Sequence, residues 1–137
     1  MAGRRVLGQR AVGVIEGEAL VLEEAISFWG GLDPATGRII DVHHPNHGAD
    51  AAGKVLVLPS TRGSTSSAAT LAEAIKQGVG PVAVVTAARD LTIAVGTAVP
   101  ELLYDADVPF VVADAKTYAS IRTGDRLRVA DGAVTPL

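Results

Sequence analysis

The sequence contains no cysteine. That excludes disulfides, a thiol nucleophile and any iron-sulfur cluster ligated by this chain's own thiolates. Positive charge is also in short supply: 12 Lys and Arg stand against 15 Asp and Glu, for a net charge of −3. Neither nucleic acid nor an anionic membrane is an expected partner, because both demand a basic surface. No apolar run approaches the length needed to cross a bilayer, and the opening MAGRRVLGQR is followed by no apolar stretch of the signal-peptide kind. A soluble, cytoplasmic protein is expected. Two common catalytic signatures are missing as well, the lysine of a nucleotide-binding P-loop and a G-x-S-x-G nucleophile elbow.

What is present is an ordinary globular composition, 48% apolar and 20% charged over 137 residues, which predicts one domain spanning residues 1–137. Arg5-Val6-Leu7 and Glu18–Leu22 read as short strands separated by Gly8, Gly13 and Gly17. Arg38–Val42 offers another, after turn signals at Asp33-Pro34 and Thr36-Gly37, and HHPNHGADAAG is loop. The run Lys54–Leu58 has the length and β-branched content of a buried strand. Ala68, Leu71, Ala72 and Ile75 fall at helical spacing, and Gly78, Gly80 and Pro81 end that helix. Val82–Thr86 and Pro109–Val112 predict two further strands with a helix around Gly96 to Tyr104 between them, and Asp131-Gly132 predicts a terminal hairpin. Too many strands lack a crossover helix for a plain doubly wound fold. The expected class is a mixed α/β domain with a barrel-like or layered sheet and flanking helices.

The most unusual stretch is VLPSTRGSTSS, residues 57–67, with four serines and two threonines around Arg62. A strand ending at Leu58 and a helix starting near Thr65 to Ser67 place it at a helix N-terminus, where unpaired amides favour a carboxylate or phosphate. Arg62 adds a planar, permanently charged fork, and Gly63 allows close approach of the backbone. The same hydroxyls also suit a purely local role, since Ser and Thr are preferred helix caps.

Two other clusters bear on function. His43, His44 and His47 are all the histidines of the chain, and imidazole binds metals or carries phosphoryl groups. Pro45 breaks any helical face that would present them together, so a metal site is not expected there. Phe28 and Trp29 are two of five aromatics and lie beside Gly30 and Gly31; they suit either the core or a protein interface.

SFWGGLDPATGRIID, HHPNHG, GKVLVLPSTRGSTSS and VGPVAVV, in this order, resemble the swivel-domain small subunit of the aconitase X family of hydro-lyases. The resemblance covers roughly residues 10–113 and implies a swivelling β/β/α domain. It further implies a larger partner subunit that carries an iron-sulfur or iron centre, this chain binding none alone, and a small hydroxy-acid substrate. By the same resemblance Ser64 is the catalytic base; Arg62, Gly63 and Thr65, beside it at the expected helix N-terminus, are the candidate substrate-binding residues. Such eliminations need a base for a carbon-bound proton and a Lewis acid for the leaving hydroxide; a serine must be activated for the first task. Between the family's substrates, cis-3-hydroxy-L-proline is favoured over mevalonate 5-phosphate by an Ala-, Gly- and Arg-rich, lysine-poor composition of bacterial kind. Phosphohistidine carriers also use swivelling β/β/α domains, so a carrier role, or a noncatalytic binding module, is the alternative of another class.

Overall fold

The computed structural model describes residues 13–63 and 65–137. The expected strand at Arg5-Val6-Leu7 therefore lies outside the described residues. Six strands form one sheet: β1 (Ile15–Val21), β2 (Val55–Leu58), β3 (Ala83–Thr86), β4 (Phe110–Val112), β5 (Arg126–Ala130) and β6 (Ala133–Pro136). Three helices interleave with them, α1 (Thr65–Lys76), α2 (Leu91–Tyr104) and α3 (Ala115–Ser120). The spatial order is β4-β3-β2-β1-β5-β6. The first four strands are parallel, β5 adds antiparallel to β1, and β6 pairs antiparallel with β5. The outer strands β4 and β6 approach each other, so the sheet curls into a nearly closed barrel.

Strand alternation divides the core in two. On β2, Leu56 and Leu58 face α1 and α2 with Leu20, Phe28, Leu71, Ile75 and Ile93, whereas Val55 and Val57 face the barrel interior with Ala19, Val85, Leu127 and Val129. Every residue of β2 and β3 is buried, as expected of parallel strands covered on both faces. Helix α1 lies against α2 closely at Gly96, where a Cβ would stand 2.9 Å from Leu71 and 3.1 Å from the Ala68 carbonyl.

Three sequence expectations are corrected. Gly17 does not separate strands; it lies within β1, where a Cβ would meet the Val55 side chain at 3.2 Å. Arg38–Val42 is not a strand but makes single bridges, Leu32 with Ile39 and Arg38 with Asp50. Its extension stops because the Asp41 carboxylate accepts the His43 amide at 2.9 Å, an Asx turn. The second helix starts at Leu91, five residues before Gly96, because Asp90 caps it. Asp131 and Gly132 both have positive φ, 51° and 75°, the primed turn expected of the terminal hairpin.

Candidate functional site

The parallel strands β2 and β3 end at Leu58 and Thr86. Loops beyond the carboxyl ends of parallel strands are where α/β folds place ligand sites, and residues 59–63 follow β2 in one of these loops. Its start is held from two sides. Thr61 bridges to Ile26, and the Arg62 amide donates to the Ile26 carbonyl at 2.8 Å. On the other side, the Thr61 amide and hydroxyl donate to the Asp90 carboxylate, at 2.7 Å from the amide and 2.8 and 3.0 Å from the hydroxyl.

The loop's end is held by Ser67, the only one of its serines buried among the described residues. Its hydroxyl lies 3.0 Å from the Ser27 hydroxyl, accepts the Trp29 amide at 3.3 Å and donates to the Arg62 carbonyl at 3.4 Å. Gly63 sits over this pair with φ of +110°, and a Cβ there would stand 2.9 Å from the Ser67 hydroxyl. Only glycine satisfies both the dihedral and the space.

Between Gly63 and the first residue of α1 stands Ser64, which lies outside the described residues. Arg62, Gly63 and Thr65 are exposed. The Arg62 guanidinium is 3.9 Å from the Glu24 carboxylate, both side chains being more than half exposed. A pair this exposed contributes little, so Arg62 is free to turn to an anionic ligand. Thr65 also lines a shallow groove of about 260 Å³ with Ala68, Leu91, Thr92 and Val95.

Asp90 was not singled out in the sequence, although an aspartate three residues before Ile93, at the head of an apolar segment, is a cap signal. Burial pushes its carboxyl up, but bonds from the Thr61 amide, the Ile93 amide and the Thr61 hydroxyl outweigh that and hold it below the ordinary aspartate range.

The histidines do not form a centre. His44 is buried, with Nδ1 accepting the Asn46 amide at 3.0 Å and Nε2 reaching the Glu24 carbonyl at 3.1 Å. Since a backbone amide must donate to Nδ1, Nε2 carries the proton. His43 and His47 are exposed. Among the described residues, no group of three or more histidines and carboxylates is placed to hold a metal ion, and the chain has no thiolate. The donor set of the described residues does not fit an iron-sulfur or iron centre.

Phe28 is fully buried in the core, whereas Trp29 is 69% exposed. Leu91 and Val95, on the groove at the head of α1, are exposed too. No helix among the described residues is long and apolar enough to cross a membrane.

A mixed α/β domain with a nearly closed, barrel-like sheet and flanking helices carries this loop on one rim. The aconitase X swivel domain model matches residues 3–135, and the chain belongs to that family. It is 41% identical to the phosphomevalonate dehydratase small subunit of Archaeoglobus fulgidus, over 85% of this chain and 84% of that one. It is 32% identical to the cis-3-hydroxy-L-proline dehydratase of Hypocrea jecorina, over 90% of this chain. The chain spans only 21% of that protein's length. The crystal structure of Thermococcus kodakaraensis aconitase X in its holo form has the same fold, with a TM-score of 0.78 and 29% identity over 91% of each chain.

Proposed function

We propose that this chain is the small subunit of an aconitase X-type dehydratase, which eliminates water from a small hydroxy acid in a site completed by a large subunit. The observation that carries the reading is the exposed Arg62-Gly63 loop at the head of α1, in a chain whose family relatives are named dehydratases. In this reading Ser64 removes the carbon-bound proton. Arg62 orients the substrate's carboxylate or phosphate through its planar fork, and Gly63 and Thr65 bring the backbone and the head of α1 against it. The serine needs activation to act as a base, which helix-terminal amides, Arg62 and groups from the partner would supply.

In this reading the iron-sulfur or iron centre belongs to the large subunit, which supplies the Lewis acid for the leaving hydroxide. Exposed Trp29, Leu91 and Val95 flank the loop's anchor and the head of α1, an apolar rim suited to a partner's surface.

The substrate we favour is cis-3-hydroxy-L-proline. Mevalonate 5-phosphate is the second reading, supported by the 41% identity to a phosphomevalonate dehydratase small subunit. Assaying this chain and its large subunit, separately and mixed, with both substrates tests the proposal. Turnover is expected only from the mixture; turnover by this chain alone, or of neither substrate by an assembled pair, would overturn it.

A further inference from the structure

We propose that Asp90 is a positioning residue for the reactive loop, fixing Thr61, and with it Arg62 and Gly63, relative to the helix pair α1–α2. The inference rests on the reading of that loop as the site of the dehydration.

A helix cap needs only one carboxylate oxygen for one amide of its own first turn. Asp114 shows that simpler arrangement on α3, accepting the amide and hydroxyl of Thr117 within its own helix. Asp90 does more. Oδ1 accepts the Ile93 amide at 3.0 Å and the Thr61 hydroxyl at 3.0 Å, while Oδ2 accepts the Thr61 amide at 2.7 Å and the same hydroxyl at 2.8 Å. Both oxygens are committed to a residue 29 positions earlier in the chain. One carboxylate thereby ties the end of β2 to the start of α2, and α2 is itself packed on α1 at Gly96.

The loop's far flank is tied separately, through the Arg62 amide to Ile26 and through Ser67 to Ser27. Without Asp90 the loop would pivot about that flank. Misplacement of a catalytic group by about 1 Å is enough to cost on the order of 100-fold in rate.

An ionised aspartate accepts every one of these bonds, whereas an asparagine presents an N–H to at least one N–H or O–H donor and breaks the arrangement. Asp90→Asn, in complex with the large subunit, is expected to lower kcat by about 10- to 100-fold and to raise KM, since Arg62 moves with the loop. Asp114→Asn, which loses the cap of a different helix with no bond to the loop among those of Asp114, should leave kcat unchanged. Thr61→Val removes the hydroxyl but leaves the cap to Ile93 intact; it should lower kcat in the same direction, and the double variant should be no slower than Asp90→Asn.

Independently of activity, amide exchange measured by NMR on the 137-residue chain should quicken at Thr61 and Arg62 in Asp90→Asn. Normal kcat for Asp90→Asn in an assembled complex, or unchanged exchange at both amides, would overturn the proposal. If the unaltered pair turns over neither substrate, the dehydratase reading fails, while the exchange measurement still decides whether Asp90 holds the loop.

Discussion

The hydroxyls of Ser67 and Ser27 lie 3.0 Å apart although the residues are 40 positions apart in the chain. Ser67 is 1% exposed, and it also serves the Trp29 amide and the Arg62 carbonyl. Ser67→Ala leaves these groups short of a partner, so unfolding by urea should report a loss of about 1–3 kcal/mol. Ser66→Ala, at an exposed position, should stay within about 0.5 kcal/mol.

Arg62 meets Glu24 only at 3.9 Å and on the surface, so its fork is available to a ligand. Arg62→Lys keeps the charge and loses the two-pronged geometry. KM is expected to rise roughly tenfold, the equivalent of one charge-assisted hydrogen bond of about 1.5 kcal/mol, with little change in stability. An unchanged KM for the lysine variant would remove Arg62 from the substrate site.

The histidine loop is a brace. His44 bonds the Glu24 carbonyl, and Asn46 accepts the Glu23 amide at 2.9 Å and donates to the Val21 carbonyl at 3.4 Å. The loop thus fixes the segment that brings Glu24 beside Arg62. His44→Ala should destabilise by about 1–3 kcal/mol, whereas His43→Gln and His47→Gln should be silent. Incubation with a labelled phosphoryl donor should leave no acid-labile phosphate; its appearance on any of the three would favour a carrier domain instead.

How far the sequence alone reaches is clear from the same residues. The buried strand at Lys54–Leu58, the helix face at Ala68, Leu71 and Ile75 and the Asp131-Gly132 hairpin follow from period and turn chemistry, which are local. The strand expected at Arg38–Val42 failed because the Asp41 side chain competes for the backbone. The bonds of Ser67 and of Asp90 to Thr61 join segments far apart in sequence, and no local pattern encodes them. Trp29 and Phe28 are adjacent and chemically alike, so only the fold could assign one to the core and the other to the surface.

Acid should weaken the hold of Asp90 on the loop. The folded Asp90 carboxyl is held below its ordinary value of 3.8, so its contribution to stability is fully present above that value and is lost as pH falls through the lower, folded one. Asp114, held low first by the Thr117 amide and then by its hydroxyl, acts in the same direction. The stability gap between wild type and Asp90→Asn should therefore narrow as pH is lowered from about 5 to about 2. The same titration of Asp114→Asn separates the second carboxylate's share. A gap that widens on acidification would contradict the sign.

Turnover by Ser64→Ala in the reconstituted two-subunit enzyme tests the central claim most directly. With assembly verified by size-exclusion chromatography, the variant should form the complex normally and lose at most the roughly 0.5 to 2 kcal/mol of a missing helix cap, too little to unfold a normal domain. Its dehydration of cis-3-hydroxy-L-proline, or of mevalonate 5-phosphate if that is the substrate the unaltered pair accepts, should be abolished. Near-normal turnover in a properly assembled complex would show that Ser64 is not the base and that the hydroxyls of the loop serve its structure alone.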